Sequence, residues 1–427
     1  MEAIKIMIFL GISTMGSSSA SIFRDGRLLF AVEEERLSRV KNDASFPLLS
    51  IKECLLRTNI LINEVDYVCV YWQPYNFIGR TFSILKKIIN SPFFLKIYFK
   101  RINSAFFSRT NKTKYPDFSG RWIDLFIIKK IIKKNIGNFR GKIKYIDHHI
   151  SHQSYCNALN YSKKSINLSF DGGGENYSTK IILMNKKKRK LLKKIKWPNS
   201  LGHYYSYFTG FLGFKMLEGE YKMMGLAPYG KAKYLDIILN KILILNQNGE
   251  YFFNYNICDY HLALEGIYSR EIQNLFFKNR KKNDEISQKH LDLAASVQAA
   301  FELALENMLK WCRTEYPDVN VLNLSGGCAL NVTANGKIHS KGIFKKINIT
   351  PASNDAGCSI GSVIELINKK NILIESNSIK NPYLGATFED HQIINAFKKL
   401  NLTLPTFIPT EKLIDIVSSE LANKKIV

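Results

Sequence analysis

Hydrophobic positions near the start of the chain come in short blocks that small or polar residues separate. IKIMIFLGI (residues 4–12) has the length of a strand, and we predict a buried first strand there. The block SIFRDGRLLFAVEEER (21–36) contains Asp25-Gly26, a dipeptide typical of tight hairpins, and predicts two short strands around it. The stretch SINLSFDGGGENYSTKIILMNKKKRKLLKKIKW (165–197) has the same plan: an apolar strand, a glycine-rich turn and two further strands. This repetition predicts an internal duplication.

Two later segments add helices and a second glycine-rich strand end. LDLAASVQAAFELALENMLKWCRTEY (291–316) has apolar residues at i, i+3, i+4 and i+7 and predicts a long helix. VNVLNLSGGCALNVTANGKI (319–338) predicts a buried strand that ends at Gly326-Gly327 and leads into a helix. That geometry lets the backbone approach a nucleotide. Strands that alternate with helices predict an α/β fold.

Composition indicates a globular protein with a strong positive charge. The chain has 427 residues, enough for two or three domains, with 46% hydrophobic and 23% charged residues. Lys and Arg outnumber Asp and Glu by 61 to 36, and the excess lies in three runs, at 126–144, 184–196 and 277–284. Because these lysines are mixed with isoleucine and asparagine rather than with stacking aromatic residues, we predict solvated surfaces and no nucleic-acid partner.

The cysteines and the apolar runs bear on the compartment. The seven cysteines are scattered, and none forms a CxxC pair, which argues against a disulfide framework or a zinc ribbon. No run approaches the roughly 20 apolar residues that span a bilayer. The apolar run at the N-terminus is short for a signal peptide core. We therefore predict a cytoplasmic protein without a membrane partner.

Three of the eight histidines lie within YIDHHISHQSYCNAL (145–159). Asp147 can cap a helix that starts at His148. On that helix His148 and His152 are four residues apart and share one face, a spacing that binds a metal ion or forms a packed, hydrogen-bonded pair. His149 points to another side. Asp355, in INITPASNDAGCSIGS (347–362), is a candidate third ligand, although it can equally be only the cap of the following helix.

Taken together, these stretches resemble the NodU/CmcH family of O-carbamoyltransferases. The likeness runs over roughly residues 7–370 and includes long motifs in one order. The matching segments are FAVEEERLSRVKNDASFP (30–47), DHHISH (147–152), FDGGGE (170–175), SLGHYYSYFTGFLGFKMLEGEYKMMGLAPYG (200–230), LSGGCALNVTANG (324–336) and PASNDAG (351–357).

The resemblance implies a duplicated ribonuclease H-like domain of the actin-like ATPase type, similar to TsaD-type proteins that transfer threonylcarbamoyl to tRNA. By this likeness, residues 1–370 form the carbamoyltransferase N-terminal domain, with halves at about 1–164 and 165–370. Residues 371–427 would be a linker and the incomplete start of a YrdC-like domain.

The site residues follow from the same resemblance. In the family, two histidines at HHxxH and a late aspartate hold an iron-type divalent metal, which points to His148, His152 and Asp355 and to Fe²⁺. A larger set is expected around ATP or carbamoyl-adenylate, with Mg²⁺ as a candidate companion. Nucleotide-binding positions are Asp171, Gly172, Gly173, Glu175, Gly326, Gly327 and Asn331, and catalytic positions are Lys41, Glu220 and Lys222.

The reaction is also implied by the family. Members make carbamoyl-adenylate from carbamoyl phosphate and ATP in the YrdC-like domain, then transfer the carbamoyl group to a hydroxyl of a sugar, polysaccharide or secondary metabolite. This chain is expected to hold the transfer half and not to be competent alone, so a separate YrdC-like subunit is a candidate partner.

One departure from the family keeps other functions open. The family's first turn carries a His-Asp pair that falls on Gly16 and Ser17 here, which removes a candidate general base. A non-catalytic actin-like binding module is therefore one alternative. The other is a tRNA threonylcarbamoyl transferase, although those relatives carry HxEGH where this chain has HHISH.

Overall fold

The computed structural model describes residues 6–76, 122–159, 162–186 and 188–427, together with the helical positions Leu95, Phe99 and Asn103. The chain divides into two compact units, Met1–Leu384 and Gly385–Val427. Residues 4 and 5 of the predicted first strand, and Lys187 of the second basic run, lie outside the described residues.

Among its described residues, the larger unit contains two five-stranded sheets and one short hairpin. The first sheet consists of β1 (Ile8–Ser13), β2 (Ser19–Arg24), β3 (Arg27–Glu33), β4 (Tyr67–Val70) and β5 (Lys142–Tyr145). The second consists of β6 (Lys164–Phe170), β7 (Tyr177–Asn185), β8 (Lys188–Lys196), β11 (Val321–Ser325) and β12 (Lys346–Ile349). The hairpin consists of β9 (Leu243–Leu245) and β10 (Tyr251–Phe253).

The two sheets have the same topology. The strand order is β3-β2-β1-β4-β5 in the first and β8-β7-β6-β11-β12 in the second. In each sheet the three sequential strands pair antiparallel, and the remaining two run parallel to the first of them. The predicted duplication and the ribonuclease H-like, actin-like α/β fold are therefore confirmed.

Burial in the sheets follows the hydrophobic pattern. All six residues of β1 are buried, as expected for a strand that is covered on both faces. Only Lys164 of the seven β6 residues is not fully buried. The predicted long helix and the glycine-broken strand are also found, at 288–315 and at 321–325.

Helices cover and connect the sheets. In the larger unit they are α1 (Glu34–Ser38), α2 (Leu48–Thr58), α3 (Ile128–Asn135), α4 (His148–Leu159), α5 (Leu201–Phe211), α6 (Glu220–Leu226), α7 (Leu235–Lys241), α8 (Tyr260–Ala263), α9 (Arg270–Leu275), α10 (Gln288–Glu315), α11 (Val332–Ser340), α12 (Cys358–Lys369) and α13 (Ser376–Lys380). No helix among the described residues combines the length and apolar character needed to cross a bilayer.

Two helices, α4 and α12, lie side by side between the sheets. α12 packs on β1, β2 and β4 of the first sheet, whereas α4 packs on β6 and β11 of the second. They cross closely, because a Cβ atom on Gly361 of α12 would lie 1.9 Å from the carbonyl oxygen of Ser151 in α4. This crossing brings the N-terminal turn of α4 and the start of α12 together.

The predicted solvated faces are found in the first two basic runs, whereas in the third run Arg280 is buried and its Nε donates to the carbonyl oxygen of Leu212 at 2.7 Å. In α3 the isoleucines Ile128, Ile131 and Ile132 are buried, and the intervening lysines are exposed. β8, the last strand of its sheet, exposes most of its basic side chains. The smaller unit has two helices, α14 (Asp390–Lys399) and α15 (Thr410–Ala422), and neither buries a residue.

Candidate metal and nucleotide site

The histidine helix α4 begins as the sequence predicts. Asp147 Oδ1 accepts a hydrogen bond from the Ile150 amide at 3.0 Å, which is the capping contact. Glu175 Oε1 accepts from the amides of His148 at 3.2 Å and Gln73 at 2.9 Å. Burial raises the pKa of Glu175. Glu175, predicted from the resemblance as a nucleotide-binding position, therefore contacts the N-terminus of the histidine helix.

His148 and His152 point their Nε2 atoms at two carboxylates. His152 Nε2 lies 3.2 Å from Asp171 Oδ2 and 3.5 Å from Asp355 Oδ1. The corresponding distances from His148 Nε2 are 3.5 Å and 4.0 Å. Both imidazoles are buried. Residues from α4, from the β6–β7 turn and from the segment before α12 thus meet at one point.

His149 faces the opposite side of α4. Its Nδ1 lies 2.9 Å from Ser169 Oγ, and its Nε2 lies 2.9 Å from the carbonyl oxygen of Tyr177. Because a carbonyl only accepts, Nε2 carries the proton and Nδ1 accepts from the serine hydroxyl. Burial lowers the pKa of His149 to about 3, so the ring is neutral. This histidine is a satisfied core residue.

The donor set fits a divalent metal ion. The four groups His148, His152, Asp171 and Asp355 each offer one ligand atom, and these atoms lie within 4.8 Å of one another. Apart from the contacts between the histidines and the two carboxylates, buried ring nitrogens of both histidines and Asp171 Oδ2 have no hydrogen-bond partner in the described part of the chain. Burial works to raise the pKa of Asp171, but His148 and His152 hold it well below its ordinary value, so it is ionised. Two imidazoles and two carboxylates are typical ligands of divalent transition metals.

Asp355 is fixed by two contacts that the sequence did not indicate. The hydroxyl of buried Tyr71 shares its proton between the carbonyl oxygen of Thr14, at 2.5 Å, and Asp355 Oδ2, at 3.1 Å. A Cβ atom on Gly16 would lie 2.1 Å from the same Oδ2. Gly16 therefore leaves the space that the Asp355 carboxylate fills. Tyr71 follows strand β4 and carried no motif that would have singled it out.

A second missed residue is Cys358, the first residue of α12. Its thiol contacts His152, and its sulfur lies within 4.8 Å of a ring nitrogen on each of His148 and His152. Burial raises the pKa of Cys358 to about 12. The signal was its position three residues after Asp355, within the quoted segment NDAGCSIG.

A cleft of about 370 Å³ opens beside this cluster. It is lined by six of the predicted site residues, which are Lys41, Asp171, Gly172, Glu220, Gly327 and Asn331. Apolar side chains, among them Tyr205, Met224 and Phe301, form part of the wall. Asp171 belongs to both the cleft and the donor cluster. Gly173, Glu175, Lys222 and Gly326 are not among the lining residues.

Several predicted residues also hold the walls of the cleft in place. Asn331 caps α11 through the Ala334 amide at 3.0 Å and exchanges two hydrogen bonds with Gln298. Glu220 Oε1 accepts from the Leu217 amide at 2.7 Å and from Ser206 Oγ. Gly326 has φ +90, and a Cβ there would lie 2.2 Å from the carbonyl oxygen of Phe170. Glycine at 326 thus permits close packing of strand ends.

The two predicted lysines sit beside one aromatic ring. The Nζ atoms of Lys41 and Lys222 lie 5.1 Å and 5.8 Å from the ring centroid of Tyr221. Lys41 lines the cleft, whereas Lys222 is exposed outside it. Lys41 is therefore the better placed of the two to approach an anion in the cleft.

Comparisons with known proteins identify the family of the chain. A family model described as the carbamoyltransferase N-terminus matches residues 8–364. The chain is 32% identical to the uncharacterized protein sll1178 of Synechocystis sp., over 90% of this chain and 61% of that protein. It is 28% identical to the nodulation protein NolNO of Sinorhizobium fredii, over 83% of this chain and 47% of that protein.

Solved structures give weaker likenesses. The (R)-2-hydroxyglutaryl-CoA dehydratase component A of Acidaminococcus fermentans is 11% identical and covers 85% of this chain and 98% of its own, with a TM-score of 0.42. A full-length HypF in a phosphate- and nucleotide-bound form is 12% identical and covers 85% of this chain and 55% of its own, with a TM-score of 0.41.

Proposed function

Because the chain belongs to the family defined by the carbamoyltransferase N-terminus, we propose that it transfers a carbamoyl group from carbamoyl-adenylate to a hydroxyl. The observation that carries the proposal is the double position of Asp171, which contacts the histidine pair and also lines the cleft. An adenylate bound in the cleft would have its acyl group beside the metal donors. The acceptor class we propose is a sugar, a polysaccharide or a secondary metabolite.

The proposed metal is Fe²⁺, held by His148, His152 and Asp355, with Asp171 as an additional donor. When bound, such an ion supplies Lewis-acid polarisation of the carbamoyl oxygen. In the transfer, the acceptor oxygen bonds to the carbamoyl carbon, the bond to the adenylate phosphate breaks, and AMP leaves. The acceptor's proton is lost in the same reaction.

The residues of the chain divide the remaining work. Gly172 and Gly327 expose backbone at the cleft, where an adenylate phosphate can approach amide groups. Lys41 offers positive charge to that phosphate, and Mg²⁺ is a candidate companion when ATP is bound. Glu220 supplies a carboxylate to the wall of the cleft, whereas exposed Lys222 is assigned only a long-range electrostatic effect. Gly16 provides no base, so the acceptor's proton has to pass to another group or to solvent.

We further propose a division of labour along the chain. Residues 1–370 would be the transfer domain, and 371–427 would begin the YrdC-like domain that makes carbamoyl-adenylate from carbamoyl phosphate and ATP. The chain spans 61% and 47% of the lengths of the two relatives above. A separate YrdC-like subunit is the partner we propose for the activating step.

The test supplies preformed carbamoyl-adenylate, Fe²⁺ under anaerobic conditions and a panel of hydroxyl acceptors. We expect AMP and a carbamoylated product, and we expect Asp355→Ala to remove both by releasing the metal. With ATP and carbamoyl phosphate instead, the chain alone should release no pyrophosphate. Pyrophosphate release that depends on carbamoyl phosphate would contradict the division of labour. Metal and nucleotide binding without transfer to any acceptor would favour a non-catalytic binding module.

A further inference from the structure

We propose that the thiolate of Cys358 is a further ligand of the divalent metal whose ring-nitrogen ligands come from His148 and His152. This inference rests on the proposed metal site and adds a sulfur donor to it. Among the described residues, two groups can hold an ion, and they share the histidine pair. One adds Asp171 and Asp355, and the other adds Cys358.

The position of Cys358 in the fold makes it part of the cluster. It starts α12 directly after the segment that carries Asp355, and it is fully buried. Its thiol contacts His152 from the α12 side, whereas Asp171 approaches the same imidazole from the β6–β7 turn. The His152 imidazole therefore contacts the Asp171 carboxylate from one chain segment and the Cys358 thiol from another. The close crossing at Gly361 and Ser151 keeps this register between the two helices.

A buried thiol can also be a small apolar side chain that only fills space. The surrounding atoms argue for a ligand, because His148 Nδ1 is buried without a hydrogen-bond partner in the described residues. The Nε2 atoms of His148 and His152 face two carboxylates that can share a metal ion with them. A purely packed core rarely brings two imidazoles, two carboxylates and a thiol together in one place, whereas such groups are common metal ligands. When a metal binds, the thiol loses its proton to solvent and the sulfur–metal bond forms.

A thiolate ligand changes which ions the site prefers. Sulfur favours borderline and soft ions such as Fe²⁺, Co²⁺ and Zn²⁺ over Mn²⁺ and Mg²⁺, which prefer oxygen. A site with two imidazoles and two carboxylates alone would discriminate less between these two groups of ions. A Cys358 ligand would therefore lower the affinity of this carboxylate-containing site for the abundant Mg²⁺ relative to its affinity for the softer ions.

The experiment titrates the full, metal-free chain with Co²⁺ and records the absorption spectrum. We expect visible cobalt bands together with an intense near-ultraviolet thiolate-to-cobalt band. Cys358→Ser should lose the near-ultraviolet band and bind Co²⁺ roughly 10- to 100-fold more weakly. It should also lower the preference for Zn²⁺ over Mn²⁺ in competition.

Cys156→Ser is the matched control. Cys156 lies in α4 and is fully buried, but its thiol contacts the carbonyl oxygens of Leu324 and Asn348 rather than a histidine. It should keep the near-ultraviolet band. Visible bands without a near-ultraviolet band in the unaltered chain would overturn the sulfur ligand and leave the proposed metal site standing. A near-ultraviolet band that survives Cys358→Ser would also overturn it, and failure to bind Co²⁺ at all would overturn the metal site itself.

Discussion

The two halves of the larger unit have the same strand order but contribute differently to the site. In the second half, the turn after the first strand carries Asp171, which points at the histidines. In the first half, the equivalent turn carries Gly16, whose missing side chain leaves room for Asp355. The turn in the second half thus provides a candidate ligand, and the turn in the first half provides the space that the Asp355 carboxylate occupies.

The helices that follow the last strand of each sheet differ from the turns, because both contribute candidate ligands. α4, from the first half, contributes His148 and His152, whereas the start of the α12 segment, from the second half, contributes Asp355 and Cys358. Each helix packs on the sheet of the opposite half. The duplication therefore places two pairs of equivalent segments, the two turns and the two helix starts, around one point. Single residues within those segments decide which ligand atoms are present.

The largest expected effect separates the two faces of α4. His148→Ala or His152→Ala should weaken metal binding by roughly 100-fold or more, because each removes a ring-nitrogen ligand. His149→Ala should keep the metal site but lower the free energy of unfolding by about 2–4 kcal/mol, because it leaves a cavity and two unpaired groups, Ser169 and Tyr177. Chelator competition measures the first effect and denaturant unfolding the second.

Metal affinity and the free energy of unfolding must change independently in those variants. Loss of metal in His149→Ala to the same degree as in His152→Ala would contradict the division between a ligand face and a core face.

Much of this division could be predicted from the sequence. The i, i+4 spacing of His148 and His152, the Asp147 cap and the repeated strand pattern are local signals, and each predicts its feature without knowledge of the rest of the chain. The family resemblance then favoured a ligand role for Asp355 over its alternative role as a helix cap. The structure brings these residues into one cluster and puts six of the predicted residues around one cleft.

The remaining features depend on packing between distant segments. Tyr71 and Gly16 meet Asp355 across sequence separations of 284 and 339 residues, so no local pattern signals them. Glu175 was predicted as a nucleotide-binding position, yet its carboxylate is used by backbone amides at the start of α4. A glycine-rich turn predicts backbone exposure, but not which of its side chains will be taken up by a neighbouring helix.

The next effect compares one glycine from each turn. Gly16→Ala should displace the Asp355 carboxylate and weaken metal binding roughly 10- to 100-fold, because its Cβ would lie 2.1 Å from Oδ2. Gly172→Ala is the control, because its Cβ would meet only His203, at an ordinary contact of 3.4 Å. We expect the control to keep its metal affinity. Calorimetric titration with Co²⁺ measures both, and equal affinities would mean that Asp355 is not constrained by the first turn.

A smaller effect is expected from the hydroxyl that orients Asp355. Tyr71→Phe removes the 3.1 Å hydrogen bond to Oδ2 and should weaken metal binding about tenfold, the lower end for loss of a group that orients a ligand. Stability should fall by about 1 kcal/mol. Tyr251→Phe, which removes a buried hydroxyl contact with Thr179 in the second sheet at 3.0 Å, should lower stability similarly without affecting the metal. If both variants bind metal like the unaltered chain, Tyr71 has no orienting role.

The smallest effect concerns the outer strands β3 and β8, which occupy equivalent positions in the two sheets. The edge of β3 is covered, because the Ala31 amide donates to the Leu384 carbonyl and the Leu28 amide to Ser378 Oγ. β8 instead exposes a row of lysines, and charged edge residues prevent pairing with other chains. This row is therefore explained by protection of the strand edge, and it does not require a nucleic-acid partner.

On that basis tRNA binding should be weak, and it should fall steeply as salt rises. Changing four exposed β8 lysines to glutamine should alter stability by less than about 0.5 kcal/mol per site and should lower the salt slope of tRNA binding by roughly 3 to 4. The residues are Lys188, Lys190, Lys194 and Lys196. The same number of substitutions in α3, at Lys129, Lys130, Lys133 and Lys134, should lower the slope equally, because counterion release depends on the number of charges rather than on their position. A large effect in β8 alone, with tight and sequence-selective binding at physiological salt, would instead make β8 a specific nucleic-acid surface and favour the tRNA-modifying function.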